Sequence, residues 1–191
     1  MMARLGFGAV KTKLLRISSF NDLNEAWAPE KLDIFLKGLA KTTAATFGIE
    51  AQWSGRPPPP AFSYDRRRRQ YAASGLLAGL AATNTGNTLT LGVTAVDLFI
   101  PKLNFVFGVA DRDMGVAIIS LHRLSPEFYS KEQDQNLLKE RAAKEAIHEV
   151  GHLLGLTHCD DASCVMHFSN AIGNTDIKGP GFCVHCAQRL I

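Results

Sequence analysis

The sequence predicts an α/β (α+β) domain followed by a small irregular C-terminal part, and three observations carry that prediction. Strand-like and helix-like runs alternate through about residues 1–155. Residues 116–121 (VAIISL) are apolar at almost every position, as in a strand buried on both faces. Past Gly155 periodicity disappears, and all four cysteines lie there. A length of 191 residues suits one domain rather than two.

The elements follow in order. Residues 13–18 (KLLRIS) form a short apolar run with a β-branched member, a strand. A helix is expected over Pro29–Phe47, because Pro29 suits a first helical position and Leu32, Phe35, Leu36 and Leu39 share one face. Gly48 stops it. Ile49, Ala51 and Trp53 alternate with polar residues, a half-buried strand. Residues 57–60, four prolines, are an extended connector.

A second helix is expected over residues 65–82, with Tyr71, Leu76, Leu77 and Leu80 as its core positions and Arg66 to Arg69 as its solvated start. Residues 83–87 (TNTGN) are turn chemistry. Strands then follow over residues 88–97, 104–110 and 116–121. Ser130 with Gln133 reads as the capping box of a long helix running through Leu154.

Composition narrows the function. Hydrophobic residues are 46% and charged residues 20%, an ordinary globular balance. No apolar run approaches the ~20 residues of a membrane-spanning helix, and residues 1–10 show no signal-peptide pattern. A cytoplasmic protein without a membrane partner is therefore expected. The net charge of +3 falls to −1 without Arg66, Arg67, Arg68 and Arg69, so the surface elsewhere is not basic and nucleic acid is not the expected partner.

The chemistry concentrates in HEVGHLLGLTH, His148 to His158. Helical positions four apart lie about 40° apart around the axis, one turn up, so His148 and His152 can offer two imidazoles to one metal ion. Glu149 stands at the same end and can face a metal-bound water. Gly155 releases the backbone from the helix, and His158 returns as a third ligand. Three neutral nitrogen ligands leave one position open, the arrangement of a catalytic zinc.

Cys159, Cys164, Cys183 and Cys186 follow the spacing C-x4-C, eighteen residues, C-x2-C, which suits four thiolates around a structural zinc. Two disulfides are the alternative, disfavoured in a reducing compartment. A redox pair at Cys183 and Cys186 lacks the strand-then-helix context it needs. His122, His167 and His185 read as packed or solvated histidines, and Asp160 and Asp161 as loop acids.

His148 to His158, with Met166 at the Met-turn position, matches the metzincin consensus. The run from His158 straight into Cys159, then Cys164, Val165 and Met166, then Cys183 and Cys186, resembles the archaemetzincin family in particular. Looser similarity extends through Arg69, Gln70 and Tyr71, the segment 105–108 and the lead-in 141–146. The resemblance implies a metzincin-like fold over residues 1–191. A twisted mixed sheet and long helices (upper part, about 1–155) would stand above an active-site cleft. A small irregular zinc-stabilised lower part (about 156–191) would close it.

The resemblance also implies a zinc metallopeptidase acting on a peptide or protein substrate, with two zinc ions, one catalytic and one structural. Glu149 would serve as general base and then acid for a zinc-activated water, and Met166 would floor the three imidazoles. An extended substrate would dock antiparallel to the edge strand at residues 104–109. Two departures stand out. Phe168 occupies the place where some metzincins carry an oxyanion-assisting tyrosine, and every cysteine lies behind the motif, so no cysteine switch is expected. A catalytically silent zinc-containing peptide-binding module is the competing reading, and a zinc adaptor using the Arg run a third. An intact Glu149 favours the enzyme.

Overall fold

The computed structural model describes residues 14–20, 29–55, 59–85 and 87–190. Lys13, Pro57, Pro58, Gly86 and the N-terminal residues 1–10 lie outside them. Eight strands are present among the described residues: β1 (Leu14–Ser19), β2 (Ala51–Trp53), β3 (Tyr64–Asp65), β4 (Gln70–Ala72), β5 (Thr88–Thr94), β6 (Leu98–Phe99), β7 (Gly108–Asp111) and β8 (Val116–Ser120). Five helices accompany them: α1 (Pro29–Phe47), α2 (Ala73–Ala81), α3 (Gln135–Leu153), α4 (Ile172–Ile177) and α5 (Val184–Gln188).

The main sheet runs β2-β1-β5-β8-β7. Four strands are parallel, and β7 pairs antiparallel with β8 at the edge. A three-stranded sheet, β3-β4-β6, sits apart. The run 116–121 is apolar throughout because β8 lies between two layers. Ala117 and Ile119 pack with α1 and α3, whereas Val116 and Ile118 pack with Leu76, Leu77 and Leu80 of α2. In β5 the division is visible as alternation, with Leu89, Leu91 and Val93 facing α1 and α3.

Helix α1 has the expected bounds and buries Leu32, Phe35, Leu36 and Leu39. Gly48, at φ +64, ends it. Several expectations need correction. The helix predicted over residues 65–82 begins only at Ala73, and the four arginines form the exposed turn of the β3–β4 hairpin. Asp65 explains the turn, since its carboxylate accepts from the backbone N–H groups of Arg67 and Arg68 and offers the chain a local alternative to helix.

Helix α3 is capped by Asp134, which accepts from Asn136 N and Leu137 N, rather than by Ser130. Ser130 is left-handed, φ 57, and ends a 3-10 turn at Pro126–Tyr129. Strand β2 is exposed at all three residues because it is a sheet edge, not the half-buried strand its alternation suggested. The strand expected over residues 104–110 is shorter, Gly108–Asp111, and residues 104–107 form an irregular approach to it.

Candidate metal centre and cleft

Helix α3 turns His148 and His152 toward the same point, and Gly155, at φ +95, swings the chain away so that His158 faces both. The candidate ligand atoms of the three histidines lie within 4.8 Å of one another. The ring nitrogens on the far side are taken: His148 Nδ1 donates to Val165 O and His152 Nδ1 to Leu156 O, each at 2.8 Å. That tautomer leaves bare lone pairs on the two Nε2 atoms, which face each other at 3.1 Å.

Two lone pairs so close repel unless a cation lies between them. Tetrahedral zinc–nitrogen geometry places neighbouring nitrogens ~3.3 Å apart, so the donor set fits zinc. Burial lowers the pKa of His148 well below its ordinary value, with the charge of Lys178 adding to the effect, and it lowers His152 and His158 as well. These shifts favour the neutral imidazole, the form that can ligate a metal.

Glu149 is 4% exposed, and its Oε2 has no hydrogen-bond partner among the described residues. Burial pushes its carboxyl well above the ordinary range, and the charge of Glu145 pushes it further, against Lys178. Gly108 makes room for it: a Cβ at that position would stand 2.6 Å from Glu149 Oε1. Met166 is fully buried beneath the helix, where a Cβ on Gly151 would meet its Sδ at 2.6 Å. Phe168 lies 44% exposed, its ring 4.9 Å from that of His158.

These residues open into a cleft of about 570 Å³, whose walls include His148, Glu149, His152, His158, Phe168 and the segment 102–110. Strand β7, the sheet edge, forms one rim. The edge expected near the metal centre is therefore present, shifted toward Asp111.

The four cysteine sulfurs also lie within 4.8 Å of one another and form no disulfide. Cys159 Sγ and Cys183 Sγ are 3.7 Å apart, far beyond a disulfide bond and close to the ~3.8 Å edge of a tetrahedral zinc–thiolate site. The backbone N–H of Cys183 points at Cys164 Sγ and that of Cys186 at Cys183 Sγ, as N–H groups do around thiolates. The N–H of Cys186 holds the Cys183 thiol below its usual pKa, whereas burial pushes Cys186 up. Four clustered thiols ionise together only when a cation compensates them.

His167 packs back on Cys159 O, and His122 and His185 are exposed, so none of the three joins either cluster. Sequence reasoning passed over Glu145 and Lys178. Lys178 Nζ is fully buried and lies 2.8 Å from Glu145 Oε1, an ion pair one helical turn from Glu149. Nearby, Arg141 makes a bidentate pair with Asp176, and Lys144 Nζ donates to Thr175 O and Asp176 O. The available signal was the i, i+4, i+8 line of Arg141, Glu145 and Glu149, three charges on one side of the helix that carries the histidines.

Comparison with known proteins decides the family. The model of Peptidase family M54 matches residues 68–191. The chain belongs to that family. The archaemetzincin of Pyrococcus furiosus is 46% identical over 166 residues, covering 85% of this chain and 86% of its own. The crystal structure of the archaemetzincin from Methanopyrus kandleri is similar at TM-score 0.79 and 32% identity, covering 96% of each chain. A zinc-dependent peptidase from Methanocorpusculum labreanum is similar at TM-score 0.81 and 29% identity, covering 93% of this chain and 100% of its own. The chain is thus an archaemetzincin-family zinc-dependent metallopeptidase with the fold its sequence led us to expect. No helix among the described residues is long and apolar enough to cross a membrane.

Proposed function

We propose that the chain works as one metzincin-like unit, residues 1–191, whose cleft lies between an upper part of about 1–155 and a lower part of about 156–191. His148, His152 and His158 hold a catalytic zinc, and Cys159, Cys164, Cys183 and Cys186 hold a second, structural one. The reducing state suited to four thiolates agrees with a cytoplasmic location. Nucleic acid is not a partner in this reading, because Arg68 is turned back onto the protein, where it donates to Leu103 O and Asn104 O.

A bound zinc supplies a Lewis acid and an acidified water. The residues supply the rest. Strand β7 offers its unpaired edge to an extended peptide running antiparallel to it, which brings the scissile bond past Gly108 and beneath Glu149. Glu149 takes the proton of the attacking water and returns it to the leaving amine. Its unpartnered Oε2 and raised pKa suit both halves of that task. Met166 floors the imidazoles. Phe168 has no hydroxyl and can offer only an apolar face.

One observation carries the reading: bare imidazole nitrogens converge at 3.1 Å beside a buried, unpartnered carboxylate that opens into a cleft. A peptide library incubated with wild type and Glu149→Ala tests it. Wild type should cleave, and the variant should be slower by about a hundredfold or more while keeping its zinc. Equal behaviour of the two proteins would favour the silent peptide-binding module.

A further inference from the structure

We infer that Lys102 is a specificity-determining residue of the cleft, taking a carboxylate on the part of the substrate that lies downstream of the cleaved bond. The inference rests on the docking of peptide along β7 proposed above. It names the substrate class of that site, peptides carrying an acidic side chain or a free C-terminal carboxylate close behind the scissile bond.

Charge is the first support. Lys102 is the one lysine or arginine among the residues lining the cleft. Glu145 and Glu149 are the two acids there, and Glu145 is matched by Lys178. Most of the remaining wall near Lys102 is apolar, with Leu103, Phe105, Val106 and Phe107. Lys102 itself is exposed, and no carboxylate pairs with it among the described residues.

Direction is the second. Gly108 is both the first residue of β7 and the residue against Glu149, so the candidate centre sits where the strand meets the preceding loop. A peptide antiparallel to β7 lays its N-terminal half along residues 109–111. Its C-terminal half then passes residues 107–100, the side on which Lys102 stands.

Backbone conformation is the third. Leu103 N donates to Ile100 O at 3.2 Å, closing a turn in which Pro101 is second and Lys102 third. Lys102 has φ +74, where such a turn ordinarily carries glycine. The strain cannot relax, because the loop is clamped on both sides. Arg68 Nη2 donates to Leu103 O at 2.7 Å, Gln70 Nε2 donates to Asn104 O at 2.9 Å, and Val106 N donates to Leu98 O at 3.0 Å. A side chain held in a conformation that favours glycine, at the mouth of a cleft, points to a use for that side chain.

The test compares wild type, Lys102→Gly and Lys102→Glu, all zinc-loaded. Cleavage is read on peptides that differ only downstream of the bond: an internal Asp or Asn, each with a free or an amidated C-terminus. Wild type should prefer the acidic member by about three- to tenfold in kcat/KM, the size of one half-shielded ion pair. Whether the Asp or the free terminus carries the preference identifies the source of the carboxylate. Lys102→Gly should lose the preference with thermal stability unchanged or raised, and Lys102→Glu should invert it. An identical preference in the three proteins overturns the inference.

Binding of the same peptides, fluorescently labelled, to proteins carrying Glu149→Ala separates the two readings. If wild type cleaves nothing, the peptidase reading fails on its own. Acidic peptides held more tightly by the Glu149→Ala single variant than by the double variant Lys102→Glu/Glu149→Ala still support the site, and equal binding overturns it.

Discussion

The part of the chain before Gly155 and the part after it are stabilised by different physics. The first buries a continuous apolar core, in which β1, β5 and β8 contribute alternate residues to α1 and α3 on one side and α2 on the other. The second has only a small one, in which Leu156, Cys164, Val165, Met166 and Cys186 pack against Ile147 of α3. From His167 to His185 the fully buried residues are Thr175 and Lys178, both polar. That stretch is fastened by charge and by thiol chemistry: Arg141 to Asp176, Lys144 to two carbonyls, Lys178 to Glu145, and the four cysteines. The lesson is that a segment with so small an apolar core can still be ordered where charges fasten it to the helix that carries the histidines.

The comparison is easiest to break at the cysteines. Cys183→Ser should lower the zinc content from about two per chain to about one and cost several kcal/mol of stability, because binding energy at a structural zinc is folding energy for so short a segment. Metal analysis and a thermal melt read both. A variant that kept its melting temperature and both metals would show that the cysteines do not hold the lower part.

A cut at the ionic fastening comes next. Lys178→Met strands the buried carboxylate of Glu145 and should cost about 3–5 kcal/mol, whereas Glu145→Met/Lys178→Met should return to within ~1–2 kcal/mol of wild type. A denaturant titration of the two variants decides between a needed pair and a tolerated one, and near-equal losses would make the pair irrelevant to the lower part.

The smallest effect belongs to the first region and sharpens the contrast. Burial would raise the pKa of Asp97, but hydrogen bonds from Arg123 and Gln70 hold it below its ordinary value. A carboxyl with a depressed folded pKa stabilises above the unfolded value of ~3.9 and loses that contribution as pH falls through the lower folded value. Asp97→Asn should therefore cost about 1 kcal/mol near neutrality and flatten the stability profile below about pH 4. Melts between about pH 2 and pH 7 show it, and an unchanged acid limb would remove Asp97 from the account.

Legibility in the sequence followed the same division. The α1 face, the two-sided burial of β8 and the convergence of three histidines and of four cysteines were readable because each depends on residues close in sequence or on a regular spacing. The boundaries that failed did so to local competition. Asp65 captured two N–H groups and made a hairpin where a helix was expected, while Ser130 ended the 3-10 turn and Asp134 capped α3, which begins at Gln135.

By itself the sequence determined which groups could meet: three histidines, four cysteines and one glutamate at spacings that suit helix pitch and metal-ligand geometry. Tertiary structure alone decided what surrounds them. Glu145 and Lys178 are 33 residues apart and look like any surface pair until folding buries them together. Lys102 looks like a solvated loop lysine until Arg68 and Gln70 clamp its loop beside the cleft. A ligand motif is written in local spacing, whereas the worth of a charge depends on what excludes water from it, and that is settled only when distant segments meet.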